Sequence, residues 1–104
     1  MPNLFNPLPD SSPDEIFETL FKDKNVTIER IVSMGQTTAM GEWLSQSRAE
    51  WVILLKGSAR VVLAKGNKEY VLNPGDYLHI PSGASHRVSW TAPQEPTVWL
   101  AVHF

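Results

Sequence analysis

Apolar and polar positions alternate with a period of two along most of this chain, in short runs separated by Gly, Pro, Asn and Asp. That spacing puts alternate side chains on opposite faces of a strand, and it recurs too regularly for helices. It predicts strands at residues 26–33, 42–47, 50–56, 59–64, 69–72, 77–80, 87–91 and 97–104. Gly66-Asn67 supplies the positive φ angles of a tight hairpin, and Asn73-Pro74-Gly75-Asp76 reads as a turn between two strands. Many short strands joined by such turns form an all-β sandwich or barrel. Residues 51–55 and 99–102 break the alternation with nearly continuous apolar runs, which predicts strands covered on both faces. One face lines the interior, and the other packs on the N-terminal segment or on a second subunit.

The first twenty-five residues have a different texture. Pro2, Pro7 and Pro9 keep residues 1–11 from forming a regular helix or central strand, so they are expected to lie as an extended arm. Ser12-Pro13-Asp14-Glu15 reads as a helix start, with a Ser cap, Pro in the first turn and Glu three residues after the cap. Ile16, Phe17, Leu20 and Phe21 then fall on one helical face. One short amphipathic helix is therefore expected, ending near Lys24 and Asn25. The expected organisation is an arm and helix over residues 1–25, packed on a β domain over residues 26–104.

Composition narrows the function classes. A chain of 104 residues suits one domain. Nine Lys and Arg are mixed with eleven Asp and Glu, and no basic cluster is available to hold phosphates, so nucleic acid is not an expected partner. No cysteine is present, which removes disulfides, thiolate nucleophiles and thiolate metal sites. No apolar run approaches the roughly 20 residues of a membrane span. The expectation is a soluble cytoplasmic protein with no membrane partner. Phosphate loops, dinucleotide fingerprints and nucleophile elbows are likewise missing from the sequence.

Four residues at fixed spacing are more specific. Gly75, Pro81, Gly83 and His86 match the second cupin signature, which reads Gly, five residues, Pro-x-Gly, two residues, His, three residues, Asn. Trp90 stands where that signature ends in Asn. Upstream, Glu50 followed by Gly57 matches the second half of the first signature. The sequence also resembles a group of short cupins in having Gly41-x-Trp43 before Glu50-Trp51-Val52, and His86-Arg87-Val88 before a closing WLAVH segment. The resemblance spans residues 26–104 and implies a cupin jelly-roll barrel, here with an N-terminal helix and arm.

The same resemblance implies a metal site of His-x-His, Glu and His pointing into the barrel. Glu50 and His86 keep half of it. The His-x-His register falls on Leu44 and Gln46, or on Trp43 and Ser45, and contains no histidine. A divalent metal (Zn, Fe, Mn or Ni) would then need His79 or His103, with Gln46 as a weak neutral donor. Without a metal, Glu50 and His86 are expected to face each other at the barrel mouth, as an acid and base or as a pair holding two strands in register. Trp43 and Trp90 are candidate walls for a planar or sugar-like ligand. Arg87, the strand neighbour of His86, projects to the opposite face.

Three functions follow. The first is a protein that binds a small polar ligand through Trp43, Gln46, Glu50, His86 and Trp90, and it requires a cavity reaching His86. The second is a metal-dependent dioxygenase or isomerase, and the third a non-catalytic dimeric scaffold. A homodimer is expected because the arm and outer strand faces need cover.

Overall fold

In a computed structural model, which describes residues 1–9 and 12–104, seven of the period-two runs become strands, and an eighth strand forms at Ile16–Lys22. They are β1 (Ile16–Lys22), β2 (Thr27–Ser33), β3 (Glu50–Lys56), β4 (Ala59–Leu63), β5 (Lys68–Leu72), β6 (Tyr77–Ile80), β7 (His86–Thr91) and β8 (Thr97–His103). All pairings are antiparallel. A five-stranded sheet in the order β1-β2-β8-β3-β6 faces a three-stranded sheet in the order β5-β4-β7, giving a jelly-roll barrel. β3 and β8 are central in the larger sheet, which is why their sequences are apolar almost throughout.

The core lies between the sheets. Alternate residues of β3, namely Val52 and Leu54, meet Trp99 and Ala101 of β8 and Ile31 of β2. Ala59 and Val61 of β4 and Leu72 of β5 close it from the opposite sheet. Leu54 is wholly buried, and a side chain of that size contributes about 2 kcal/mol through water removal. Trp99 satisfies its indole N–H by donating to Ser33 Oγ at 3.1 Å, so its burial leaves no donor stranded.

The expected helix is not formed. Residues Ile16–Lys22 pair with β2 as an edge strand, with Phe17 opposite Ile31 and Phe21 opposite Ile28 across a register shift. Ile, Thr and Phe are as well suited to a pleated strand as to a helix, and the free edge of β2 supplies a ladder of bonds that a lone helix lacks. The expected capping box dissolves with it. Ser12 Oγ accepts the Asp14 N–H, and Glu15 accepts a hydrogen bond from Ser33 Oγ instead of returning to Ser12.

The arm also departs from the extended form. Asn3 and Asn6 bridge across a tight turn, and the Arg30 guanidinium donates to Leu4 O at 3.2 Å and Pro7 O at 3.0 Å. Arg30, on the outward face of β2, is buried there beside Glu18 at 3.4 Å. Asp10 and Ser11, the last residues of the expected arm, lie outside the described residues.

Residues 42–47 do not form the expected strand, apart from a single bridge between Leu44 and His86. Their polar groups turn to the loop after β6. Gln46 O accepts the Gly83 N–H, Ser45 Oγ donates to Gly83 O, and Ser82 Oγ donates to Ser47 O. Gly66 and Asn67 adopt the expected positive φ, at 78° and 47°. Among the described residues no helix is long and apolar enough to cross a membrane.

Gly57, in the turn between β3 and β4, has a φ of 87°. A Cβ there would lie 2.7 Å from Thr97 Cα and 2.9 Å from Pro96 O, both backbone atoms of the segment entering β8. Gly57→Ala combines left-handed strain with a backbone clash, and is expected to lower unfolding stability by about 3 kcal/mol. Urea titration of both proteins checks this, and a loss below about 1 kcal/mol contradicts the account.

Candidate functional site

Three strands of the larger sheet change character at one end of the barrel. Along the inward face of β3 the order is Leu54, Val52, Glu50, and along β8 it is Trp99, Ala101, His103. β2 runs Ser33, Ile31, Glu29 on the same face. The apolar core therefore gives way to ionisable groups within two residues on each strand. From the opposite sheet β7 adds His86, one strand position beyond Val88 on the same face.

These residues line a cavity of about 340 Å³. Its walls are apolar, with Ile31, Val52, Val61, Val88 and Trp99 below and Phe17 and Leu44 at the sides. Its polar groups are Glu15, Glu29, Ser45, Gln46, Glu50, His86 and His103. A cavity reaching His86 is thus present.

Hydrogen bonds set the orientation of each group. His86 Nδ1 lies 3.1 Å from Ala84 O, and a carbonyl only accepts, so Nδ1 carries a hydrogen, and in the neutral ring Nε2 presents a lone pair. That Nε2 stands 3.8 Å from Glu50 Oε1, too far for a direct hydrogen bond. Gln46 Nε2 donates to the same Glu50 oxygen at 3.2 Å. On the other side His103 Nε2 donates to Glu29 Oε1 at 2.8 Å and lies 4.0 Å from Glu50 Oε2. Glu50 therefore sits between two imidazoles with neither bonded to it.

Of the residues singled out in the sequence, Gln46, Glu50, His86 and His103 come together here. His79 does not. It stands opposite Trp51 on the outward face of the sheet, stacked on Phe104 at 6.1 Å. Trp43 and Trp90 also stand away from the cavity, contrary to expectation. Trp43 is exposed in the loop before β3, and Trp90 lies opposite Arg60, whose guanidinium covers its ring at 5.5 Å. A register shift in β4–β7 between Arg60 and Val61 shapes the ladder there. Arg87 stands opposite Val62, on the other face from His86, and donates to Thr38 O at 3.3 Å. Glu29 and Glu15 were not singled out. Glu29 carried a signal, since it shares a strand face with Ile31 and Ser33 and so puts a carboxylate on a core-facing stripe. Glu15 carried none, because its place depends on β1 being a strand.

The metal that cupin barrels hold fits this arrangement poorly. His86, with Nδ1 anchored and Nε2 bare, is oriented as a metal-ligating imidazole is. Yet Leu44 offers no donor, Gln46 turns its amide N–H to Glu50, and His103 Nε2 is committed to Glu29. Among the described residues no three His, Asp or Glu side chains converge as a ligand set.

Burial pushes the Glu50 carboxyl above its ordinary value of 4.5, with His103 and His86 pulling it partly back and Glu29 raising it further. The folded chain then holds more protons than the unfolded chain as pH rises above about 4.5, so stability falls through that window. Glu50→Gln keeps the shape and removes the titration. The variant is expected to gain on the wild type in thermal midpoint as pH goes from about 4 to about 8. Parallel midpoint curves for the two proteins would contradict the raised carboxyl.

The geometry has relatives. The family model described as "Cupin domain" matches residues 31–103. A crystal structure from Ralstonia eutropha JMP134, of a protein provisionally assigned as a mannose-6-phosphate isomerase, is 46% identical with a TM-score of 0.95. The match covers 99% of this chain and 95% of that one. A cupin superfamily protein from Desulfitobacterium hafniense DCB-2 is 14% identical with a TM-score of 0.76, over 93% of this chain and 83% of that one. The polyketide cyclase RemF from Streptomyces resistomycificus is 19% identical with a TM-score of 0.73, over 88% and 65% of the two chains. These two likenesses concern the fold. No curated protein matches the chain. With its signature residues, its barrel and a family match over most of its length, this chain belongs to the cupin family.

Proposed function

We propose that this cupin binds a small polar ligand at the open end of the barrel and that Glu50 and His86 move a proton on it, as an isomerase-type cupin. The observation that carries this is the 3.8 Å gap between Glu50 Oε1 and His86 Nε2 inside the cavity. The gap is wide enough for a ligand to enter with its carbonyl oxygen at hydrogen-bond length from Glu50 and the neighbouring carbon beside His86 Nε2. Burial favours a protonated Glu50, which donates, while the bare Nε2 of His86 accepts. A carboxyl whose proton is favoured by burial, set beside an imidazole nitrogen able to accept one, supplies the pairing that acid–base work on one substrate requires.

On a hydroxy-carbonyl compound the step balances as follows. His86 Nε2 takes the proton from the carbon next to the carbonyl, and the electron pair forms the enediol double bond. Glu50 delivers its proton to the carbonyl oxygen. Return of a proton to the neighbouring carbon, with loss of one from the adjacent hydroxyl, yields the isomer. The 46% identity to a protein provisionally assigned as a mannose-6-phosphate isomerase supports this reaction class. Exchange of the α-hydrogen of small hydroxy-aldehydes and hydroxy-ketones into deuterated water, followed by NMR, is the test. Glu50→Gln and His86→Ala are each expected to slow exchange by at least about 10²-fold. Exchange as fast in both variants as in the wild type removes the acid–base role.

We also propose that the outward face of the larger sheet pairs with a second copy of the chain. Trp51 and Tyr77 meet there at 5.5 Å, followed by His79 and Phe104 and the half-buried Ile53, Leu100 and Val102. Tyr77 is 66% exposed and Phe104 53%. These residues include no Lys, Arg, Asp or Glu, so two such faces meet about a two-fold axis without like-charge contact. Sedimentation equilibrium is expected to give a dimer, and Trp51→Glu with Tyr77→Lys a monomer. A wild-type monomer at high concentration overturns the pairing.

A further inference from the structure

Charge in the cavity is one-sided. Glu15 and Glu29 line it as carboxylates beside Glu50, whose proton burial favours, and neither Lys nor Arg does. Basic residues in neighbouring parts of the fold are committed elsewhere. Arg48 donates to Thr27 Oγ1 at 3.0 Å and His103 O at 3.1 Å, Arg30 holds the arm, and Arg87 points away through Thr38. Of the two imidazoles, His103 gives its Nε2 hydrogen to Glu29, and His86 presents a lone pair.

The carboxylates are also held in place. Glu15 is fixed by a relay in which Trp99 Nε1 donates to Ser33 Oγ and Ser33 Oγ donates to Glu15 Oε2 at 2.5 Å. Trp99 and Glu15 line the cavity, so the relay ties a carboxylate to the indole at its wall. Glu29 is fixed by His103 at 2.8 Å. His86 is a second, independent pointer to a ligand. It is only 5% exposed, lines the cavity, and its Nε2 makes no hydrogen bond among the described residues. A bare lone pair in that position calls for a donor.

We infer that this cavity selects small ligands carrying an ammonium group and turns phosphates away. The inference rests on the ligand-binding proposal above and names the substrate class of that same site. An ammonium offers several N–H donors, which the carboxylate oxygens of Glu15 and Glu29 accept, while His86 Nε2 stays free for the reacting end of the ligand and its body packs on Ile31, Val88 and Trp99. A phosphate brings only negative charge and acceptors to a site lined by carboxylates and by neither Lys nor Arg, and it is disfavoured in a partly dehydrated cavity where charges are weakly screened. The likeness to a protein provisionally assigned as a mannose-6-phosphate isomerase therefore extends to the barrel and not to a phosphate subsite.

Two matched series test this on the full chain. One is mannosamine, mannose and mannose 6-phosphate, and the other is benzylamine, benzyl alcohol and benzyl phosphate. Binding is followed by calorimetry and by NMR shifts of the Trp99 indole and the His86 ring. In at least one series the amine is expected to bind at least about tenfold tighter than the neutral compound, with no phosphate binding detected. Glu15→Gln and Glu29→Gln are each expected to cut that preference several-fold. If Glu29→Gln fails to fold by thermal unfolding, Glu15→Gln at the rim carries the comparison. A phosphate or a neutral compound binding as tightly as the amine overturns the charge selectivity and leaves ligand binding standing. If no member of either series moves the Trp99 and His86 signals, the ligand-binding proposal fails and the selectivity with it.

Discussion

In the β3–β8 ladder Glu50 stands opposite His103, and the same register puts Val52 opposite Ala101 and Leu54 opposite Trp99. A one-residue slip of either strand would send its three side chains to the outside, because strand faces alternate with a period of two. The core and the site are thus held by one register. Apolar burial of Leu54, Val52 and Trp99 stabilises that register and offsets the cost of the ionisable groups at its end. This is how a carboxylate comes to be nearly buried: Glu50 is carried inward by the strand that also carries Leu54. Its desolvation follows from the same packing, and so does its raised proton affinity.

The larger part of the fold was legible from residue pattern. Residues 50–56 and 77–80 form strands with the expected bounds, and the other predicted strands from residue 59 onward differ by a residue at an end. The signature run from Gly75 to His86 located one end of the site because its spacing reports backbone turns: Gly75 and Gly83 both adopt positive φ, and only glycine does so without strain. Legibility failed where the deciding partner is remote in sequence. Ile16, Phe17, Leu20 and Phe21 fit a helix and a strand equally, and the open edge of β2 decides between them. The same remoteness hid Glu15, whose position depends on Ser33 and Trp99. Trp43 and Trp90 were misleading for a further reason. They occupy signature positions, but one lies in a loop whose bonds run to Gly83, and the other faces outward beneath Arg60.

Loss of the His-x-His pair changes more than the ligand count. Leu44 lies at the cavity side with its backbone paired to His86 through bonds of 2.7 and 2.9 Å, a single bridge that holds an apolar side chain where a donor would be needed. Gln46 reaches Glu50 but with its amide N–H, which treats the carboxyl oxygen as an acceptor. Both substitutions leave Glu50 without a cation at the distance where a metal would stand. A carboxylate so placed answers mainly to desolvation and to its imidazole neighbours, and it favours its proton.

From this follows the division of labour at the barrel mouth. His86 is anchored through Nδ1 to Ala84 O and so offers a base, Glu50 is pushed toward its acid form, and His103 is tied to Glu29. The first two stand 3.8 Å apart with no bond between them. Neither can relieve the other directly at 3.8 Å, and closing the gap would pull β3 and β7 together across the core formed by Val52, Val61 and Val88. Close packing resists that motion. The pair is therefore kept apart by the same apolar contacts that bury it, and the unmet donor and acceptor remain available to whatever small molecule enters.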